Sequence, residues 1–199
     1  MENKMKLEKV RVVLASKSPR RRELLSKIVD SFEIITRETD ETLPEGMHPS
    51  EGVGMLAVRK GEAVAGELSD DALVISSDTL VELDGIPLGK PDSEEEAKRM
   101  LLTLSGRVHN VHTGVAVHYK GRVTFGVDTA HVRFREISES EALEYIATGE
   151  PMDKAGSYVI QGIGNKFVSG YEGDFNAIVG LGLDLTEGLI ERALGGEHE

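Results

Sequence analysis

Residues Val108 to Tyr119 and Arg122 to Phe134 alternate apolar and polar side chains on either side of Lys120-Gly121, and no other pattern in the chain constrains the fold as tightly. A period of two sends successive side chains to opposite faces of a strand, so two such runs joined by a two-residue turn describe one long antiparallel hairpin. Shorter runs differ in kind. Ala72-Leu73-Val74-Ile75 is apolar throughout, as in a strand covered on both faces, and Val10 to Ala15 is broken only by Arg11. Phe32 to Ile35 offers another short strand, and Val81 to Pro87 a small hairpin turning at Asp84-Gly85. Helical periodicity falls between the strands. One helix is expected over Ser50 to Gly66, with Val53, Leu56, Ala57 and Val64 on one face. A capping box of Ser93 and Glu96 opens a second, which stops at Ser105-Gly106, and a box of Ser138 and Glu141 opens a third, ended by Gly149 and Pro151. A last helix runs from Thr186 to Leu194. The expected class is α/β, a mixed twisted sheet flanked by helices. No internal repeat and no Pro- or Ser-rich linker divides the chain, so residues 1–199 are expected to form one domain.

The absence of cysteine excludes a disulfide framework, a thiolate metal site and a cysteine nucleophile. A formal net charge of -12 argues against a partner that is polymeric nucleic acid, because Lys and Arg supply most of that affinity. Nothing approaches the ~20 apolar residues of a membrane span, and Met1 to Lys9 carries alternating charges, so a cytoplasmic protein without a membrane partner is expected.

Against this acidic background, cations gather after the first strand. Ser16-Lys17-Ser18-Pro19 breaks that strand, and Ser18 and Pro19 are a natural N-cap and first helical residue for a helix starting Arg20-Arg21-Arg22. Cations in a first turn oppose the helix dipole, unless an anion docks there and reverses the sign. The apolar run Ala72 to Ile75 ends at Ser76-Ser77-Asp78-Thr79, which places Asp78 at the C-terminal end of a buried strand, where ligands bind in open α/β sheets. The segment Glu150 to Gly164 mixes glycines with Asp153, Lys154 and Gln161, a composition that lets backbone approach a ligand while side chains specify it. His109 and His112, three apart on a strand, point to opposite faces and read as sheet-surface residues rather than a metal pair. A P-loop is excluded: Gly85 to Pro91 is one residue short between its glycines and has Pro91 where Ser or Thr would hold metal.

Taken in order, Leu14-Ala15-Ser16-Lys17-Ser18-Pro19-Arg20-Arg21, Asp40-Glu41, Ser77-Asp78-Thr79, Leu88-Gly89-Lys90-Pro91, Ser105-Gly106, His112-Thr113-Gly114-Val115, Thr148-Gly149-Glu150-Pro151 and Asp153-Lys154-Ala155-Gly156 resemble the signature series of the Maf family of nucleoside triphosphate pyrophosphatases. The resemblance implies an α/β fold with two lobes around a central cleft, akin to the inosine triphosphate pyrophosphatases. It also implies hydrolysis of a nucleoside triphosphate to monophosphate and pyrophosphate, a divalent cation (Mg2+ or Mn2+), and a homodimer. Asp78 matches the family's proton acceptor, and Arg20, Thr79 and Gln161 match positions tied to nucleotide choice. Glu41, Lys60 and Lys90 match charged cleft residues of catalysis or phosphate binding. On this footing Glu41 and Asp78 are the expected metal ligands, and Ser16, Arg20, Arg21, Thr79, Lys154 and Gln161 the expected substrate-binding residues. Lys154-Ala155-Gly156 with Gln161-Gly162 resembles the branch acting on dTTP and UTP, and a glutamine amide suits the O4 and N3–H edge of their bases. The chain departs from the family at Gly182, where proline is usual, and at Ser169-Gly170-Tyr171-Glu172. A nucleotide-binding regulator of cell division without turnover is the alternative, disfavoured because binding alone has no need of carboxylates beside polyphosphate.

Overall fold

The structure is a computed structural model and describes Lys4, Met5, Leu7 and residues 9–195, so most of the charged stretch Met1 to Lys9 lies outside the described residues. Its centre is the expected hairpin, β5 (Val108–Tyr119) and β6 (Arg122–Phe134), paired from Tyr119↔Arg122 to Val108↔Arg133. Lys120 and Gly121 turn between them with φ of 49° and 70°, the doubly left-handed geometry that matches strand twist in a two-residue turn. β7 (Val168–Glu172) extends the sheet beyond β6, and β3 (Ala72–Leu83) lies antiparallel on the other side of β5. β1 (Arg11–Leu14) pairs parallel with β3 and with β2 (Glu33–Ile34). β4 (Ile86–Leu88) folds back on the far end of β3, giving a seven-stranded mixed sheet of order β2-β1-β3-β5-β6-β7.

One expectation is corrected here, and the correction makes the site. Asp78 does not end its strand, because β3 spans twelve residues and the apolar run is only its first third. β1 pairs with Ala72 to Ile75 and β4 with Val81 to Leu83, so between Ser76 and Leu80 that edge of β3 faces no strand among the described residues. The chain leaves β1 because Ser18 caps α1 (Pro19–Ile28), its Oγ accepting from Arg21 N. A gap one strand wide is left in the sheet.

Two helices cover opposite faces of the hairpin. α2 (Pro49–Ala65) crosses β3, β5 and β6 so closely that a Cβ on Gly114 would stand 2.5 Å from the carbonyl oxygen of Val53. On the other face, α6 (Leu183–Gly195) presses Leu185 over Gly126 of β6. Adjacent strand positions face opposite ways, so Asp78, paired with Gly114, lies on the α2 face and Thr79 on the α6 face. α3 (Glu94–Leu104), α4 (Glu139–Ile146) and α5 (Phe175–Val179) complete the chain, and among the described residues no helix is long and apolar enough to cross a membrane.

Two further details differ from expectation. The Ser138–Glu141 capping box forms, but at Ser93 only half of one does: Ser93 Oγ accepts from Glu96 N while Glu96 takes the amide of Asp92 instead. His109 and His112 do face opposite sides, yet both are buried rather than at the sheet surface, because each meets an interior polar partner. His112 Nε2 lies 2.9 Å from Glu82 Oε2, and His109 Nε2 lies 2.8 Å from Tyr158 Oη inside a cluster with Phe134.

Burial drives the pKa of His109 down to about 4. The unfolded chain therefore takes up a proton near pH 6.5 that the folded protein refuses until about pH 4, so this contribution is complete above 6.5 and is lost as pH falls. The loss approaches roughly 3 kcal/mol across that window. Urea unfolding at neutral pH and near the lower limit is expected to show the drop in the native protein and a clearly smaller one in His109→Gln, which keeps a donor for Tyr158 without a titrating ring.

Candidate active site

The gap beside β3 opens into a cleft of about 1100 Å3. Its lining includes all of Ser16, Arg20, Arg21, Glu41, Lys60, Asp78, Thr79, Lys90, Lys154 and Gln161, so residues scattered across most of the chain meet at one place. One wall is the end of β1, the start of α1 and α2; the other is the segment from Asp153 to Gln161.

On the α2 face, Lys60 reaches across to contact Asp78 Oδ1 and stands 2.8 Å from Glu41 Oε1. Asp78 is nearly buried at 7% exposure, whereas Glu41 is exposed on a loop. That loop is tied to α2 by Arg59, whose guanidinium donates to the carbonyls of Asp40 and Thr42. The hydrogen bond from Lys60 holds the Glu41 carboxyl below its ordinary pKa. One ammonium thus fixes the spacing of two carboxylates, one carried by the sheet and one by the loop.

On the opposite face a chain of hydrogen bonds runs through the sheet edge. Arg21 Nη2 donates to Thr79 Oγ1 at 3.0 Å, Thr79 and Thr113 hydroxyls lie 2.9 Å apart, and Thr113 donates to Ala177 O at 2.7 Å. Thr113 spends its proton on Ala177, so Thr79 must donate to Thr113 and can only accept from the cleft. Arg21 Nε also donates to Gly180 O at 2.9 Å, as does Ser77 Oγ, and Arg21 Nη1 reaches Ser16 Oγ at 3.5 Å. Burial pushes the Arg21 guanidinium below its ordinary pKa, against the pull of Asp78 and Glu41. Much of its donor capacity is committed to protein, so Arg21 orders the cleft as well as lending it charge. Arg22, third of the arginine run, is exposed and lines a separate shallow depression beside Phe32. Thr113 lay within a quoted motif without a role, and only the structure gives it one.

The second wall is joined to the first through backbone. Gly156 N donates to Gly89 O at 3.1 Å, which brings the turn carrying Lys154 beside Lys90. Gly156 has φ of 67° and a Cβ there would meet Val81 at 2.9 Å, so only glycine passes. Lys154 pairs with Asp153, and Gln161 stands exposed at the rim.

Among the described residues no three His, Cys, Asp or Glu side chains cluster as a metal cage. Lys60 engages one oxygen each of Glu41 and Asp78, and the remaining Oε2 and Oδ2 are hard donors of the kind Mg2+ or Mn2+ takes beside substrate phosphates. The pair fits a cation shared with a ligand rather than one caged by protein alone.

The family model described as Maf-like protein matches residues 11–193. The chain belongs to the Maf-like family. Among relatives of this Maf-like chain, the dTTP/UTP pyrophosphatase of Pelotomaculum thermopropionicum is 49% identical over 183 residues, covering 91% of this chain and 95% of the relative. That of Moorella thermoacetica is 48% identical over 182 residues, covering 90% and 93%. Among solved structures, the Mycobacterium abscessus nucleoside-triphosphatase (dITP/XTP pyrophosphatase) is 12% identical, covering 93% of this chain and 96% of that one, with a TM-score of 0.45.

Proposed function

We propose that this Maf-like protein hydrolyses dTTP and UTP to the monophosphate and pyrophosphate. The observation that carries the proposal is near-full-length identity of 49% to a dTTP/UTP pyrophosphatase in a chain whose base and phosphate-binding candidates line one cleft. In this reading a water attacks the α-phosphorus, Asp78 takes its proton, and the bond to the bridging α–β oxygen breaks as pyrophosphate leaves. Lys60 holds Asp78 in place, while Arg20 and Lys90 lie against the polyphosphate and offset the charge on the leaving group. Glu41 and Asp78 would hold a divalent cation, which would supply Lewis-acid stabilisation when bound. Ser16, Arg21 and Thr79 shape the sugar and phosphate side, and Lys154 and Gln161 the opposite rim. Gln161 pairs its amide with O4 and N3–H of the pyrimidine, an edge that cytosine reverses.

The same reading carries a cytoplasmic location, where free nucleotides are held, and a net charge of -12 agrees with the absence of a polymeric nucleic-acid partner. Homodimer formation is expected from the family resemblance alone. The test is pyrophosphate release from a panel of standard and modified nucleoside triphosphates with Mg2+ and with Mn2+. Turnover of dTTP and UTP well above CTP and the purine nucleotides is the expected result. Tight binding with no release from any nucleotide would replace the enzyme by a nucleotide-binding regulator.

A further inference from the structure

Gln161 sits on a loop, and loops hold side chains less closely than strands or helices do. This loop, however, is anchored on both sides of Gln161. Two residues before it, Val159 N donates to Tyr145 Oη at 3.2 Å. Two and three residues after it, Ile163 N and Gly164 N donate to Glu150 Oε1 and Oε2, each at 3.0 Å. Tyr145 Oη in turn donates to Glu150 Oε2 at 2.6 Å, so the two anchors are one unit. Tyr145 is fully buried on α4 and packs edge-on against Phe167, which gives the unit a rigid base. Burial works to raise the pKa of Glu150, and the bonds from Tyr145, Ile163 and Gly164 outweigh it and hold the carboxyl below its ordinary value. Bonds to an ionised acceptor of this kind are shorter and stronger than neutral ones.

The glycines around Gln161 follow from the same Glu150–Tyr145 unit. A Cβ on Gly162 would stand 2.1 Å from Glu150 Oε1, and one on Gly164 would stand 2.7 Å from Tyr145 Oη. The loop is glycine-rich because it is wrapped onto Glu150 and Tyr145, with Gln161 left as the outward side chain at its crest.

We propose that Glu150, braced by Tyr145, is a positioning residue for Gln161 and thereby a determinant of pyrimidine selectivity. The inference rests on the assignment of Gln161 to base recognition. An amide discriminates uracil from cytosine only if its donor and acceptor are held in register with the base edge, and a loop free to shift by an ångström or rotate would accept either.

The test uses equilibrium binding of the non-hydrolysable α,β-imido analogues of UTP and CTP to Glu150→Gln, Gln161→Ala and the double variant, with Tyr145→Phe as an isosteric second probe. Glu150→Gln sets an amide donor against a backbone N–H, and Tyr145→Phe removes the hydroxyl shared by Val159 and Glu150. Each is expected to lower the UTP-over-CTP binding ratio by roughly tenfold, as loss of a charge-assisted bond does. The double variant is expected to be no less selective than Gln161→Ala alone, and amide exchange at Ile163 and Gly164 to quicken in Glu150→Gln. Independent, multiplicative losses of selectivity, or unchanged selectivity in both Glu150→Gln and Tyr145→Phe, would overturn the inference. Binding does not require hydrolysis, so a chain that binds UTP selectively without releasing pyrophosphate refutes the enzyme and leaves the brace standing. No binding of the UTP analogue by the native chain refutes both.

Discussion

Asp78→Asn is expected to reduce pyrophosphate release by roughly a thousandfold, the middle of the range that a positioned general base contributes. Asparagine is nearly isosteric and its carbonyl can still accept from Lys60, while Lys60 retains Glu41 at 2.8 Å, so the cleft should keep its shape. What is lost is the capacity to take a proton from water, together with the negative charge offered to the cation. Single-turnover measurement with UTP at saturating Mg2+ should therefore show a slow chemical step, and the thermal midpoint should shift little. Turnover within a factor of a few of the native rate would remove Asp78 from the role of base.

Gly114→Ala is expected to cost about 3 kcal/mol, the upper end for overpacking a well-filled interior. The added methyl would stand 2.5 Å from Val53 O and 2.8 Å from Val53 C, and both are helix backbone that no rotamer change can move aside. α2 must lift off the sheet, and Lys60 moves with it, away from Asp78. Stability and turnover should fall together, in contrast to Asp78→Asn. Gly170→Ala is the control, since a Cβ at Gly170 meets nothing within 4 Å and should change unfolding by no more than about 0.5 kcal/mol. Urea unfolding of both variants, with UTP hydrolysis beside it, decides the matter; a Gly114→Ala protein as stable as the native one would mean that α2 yields easily.

The parts of the fold that announce themselves do so through periodicity. The β5–β6 hairpin was legible to the residue because alternation and the Lys120-Gly121 turn agree. β3 was legible only as far as Ile75. Its continuation Ser76-Ser77-Asp78-Thr79 is polar, which reads as the end of a buried strand, yet Ser76 and Ser77 are fully buried because Ala57 O and Gly180 O accept their hydroxyls. His109 and His112 misled for the same reason. A sequence displays polarity and conceals whether a partner waits inside, since partners such as Gly180 stand far away in the chain. The expected site residues came from motifs and from the family resemblance, Lys60 from the resemblance alone, and the cleft lining includes all of them. Their division of labour was not legible: that Arg21 is largely committed to Gly180, Thr79 and Ser16, and that Thr113 sets the polarity of Thr79, depends on contacts no motif encodes.

Asp78 and Thr79 are neighbours in sequence but lie on opposite faces of β3, one backed by α2 and the other by the turn after α5. On the proposed function, the proton acceptor and the Thr79–Arg21 side of the cleft therefore occupy opposite faces of one strand, with Arg21 still within the electrostatic pull of Asp78 and Glu41. On that reading, substitutions that repack the Gly180 side are expected to alter the Thr79–Arg21 hydrogen-bond chain while leaving Lys60 on Asp78, whereas a one-residue slip of β3 against β5 would exchange the two faces.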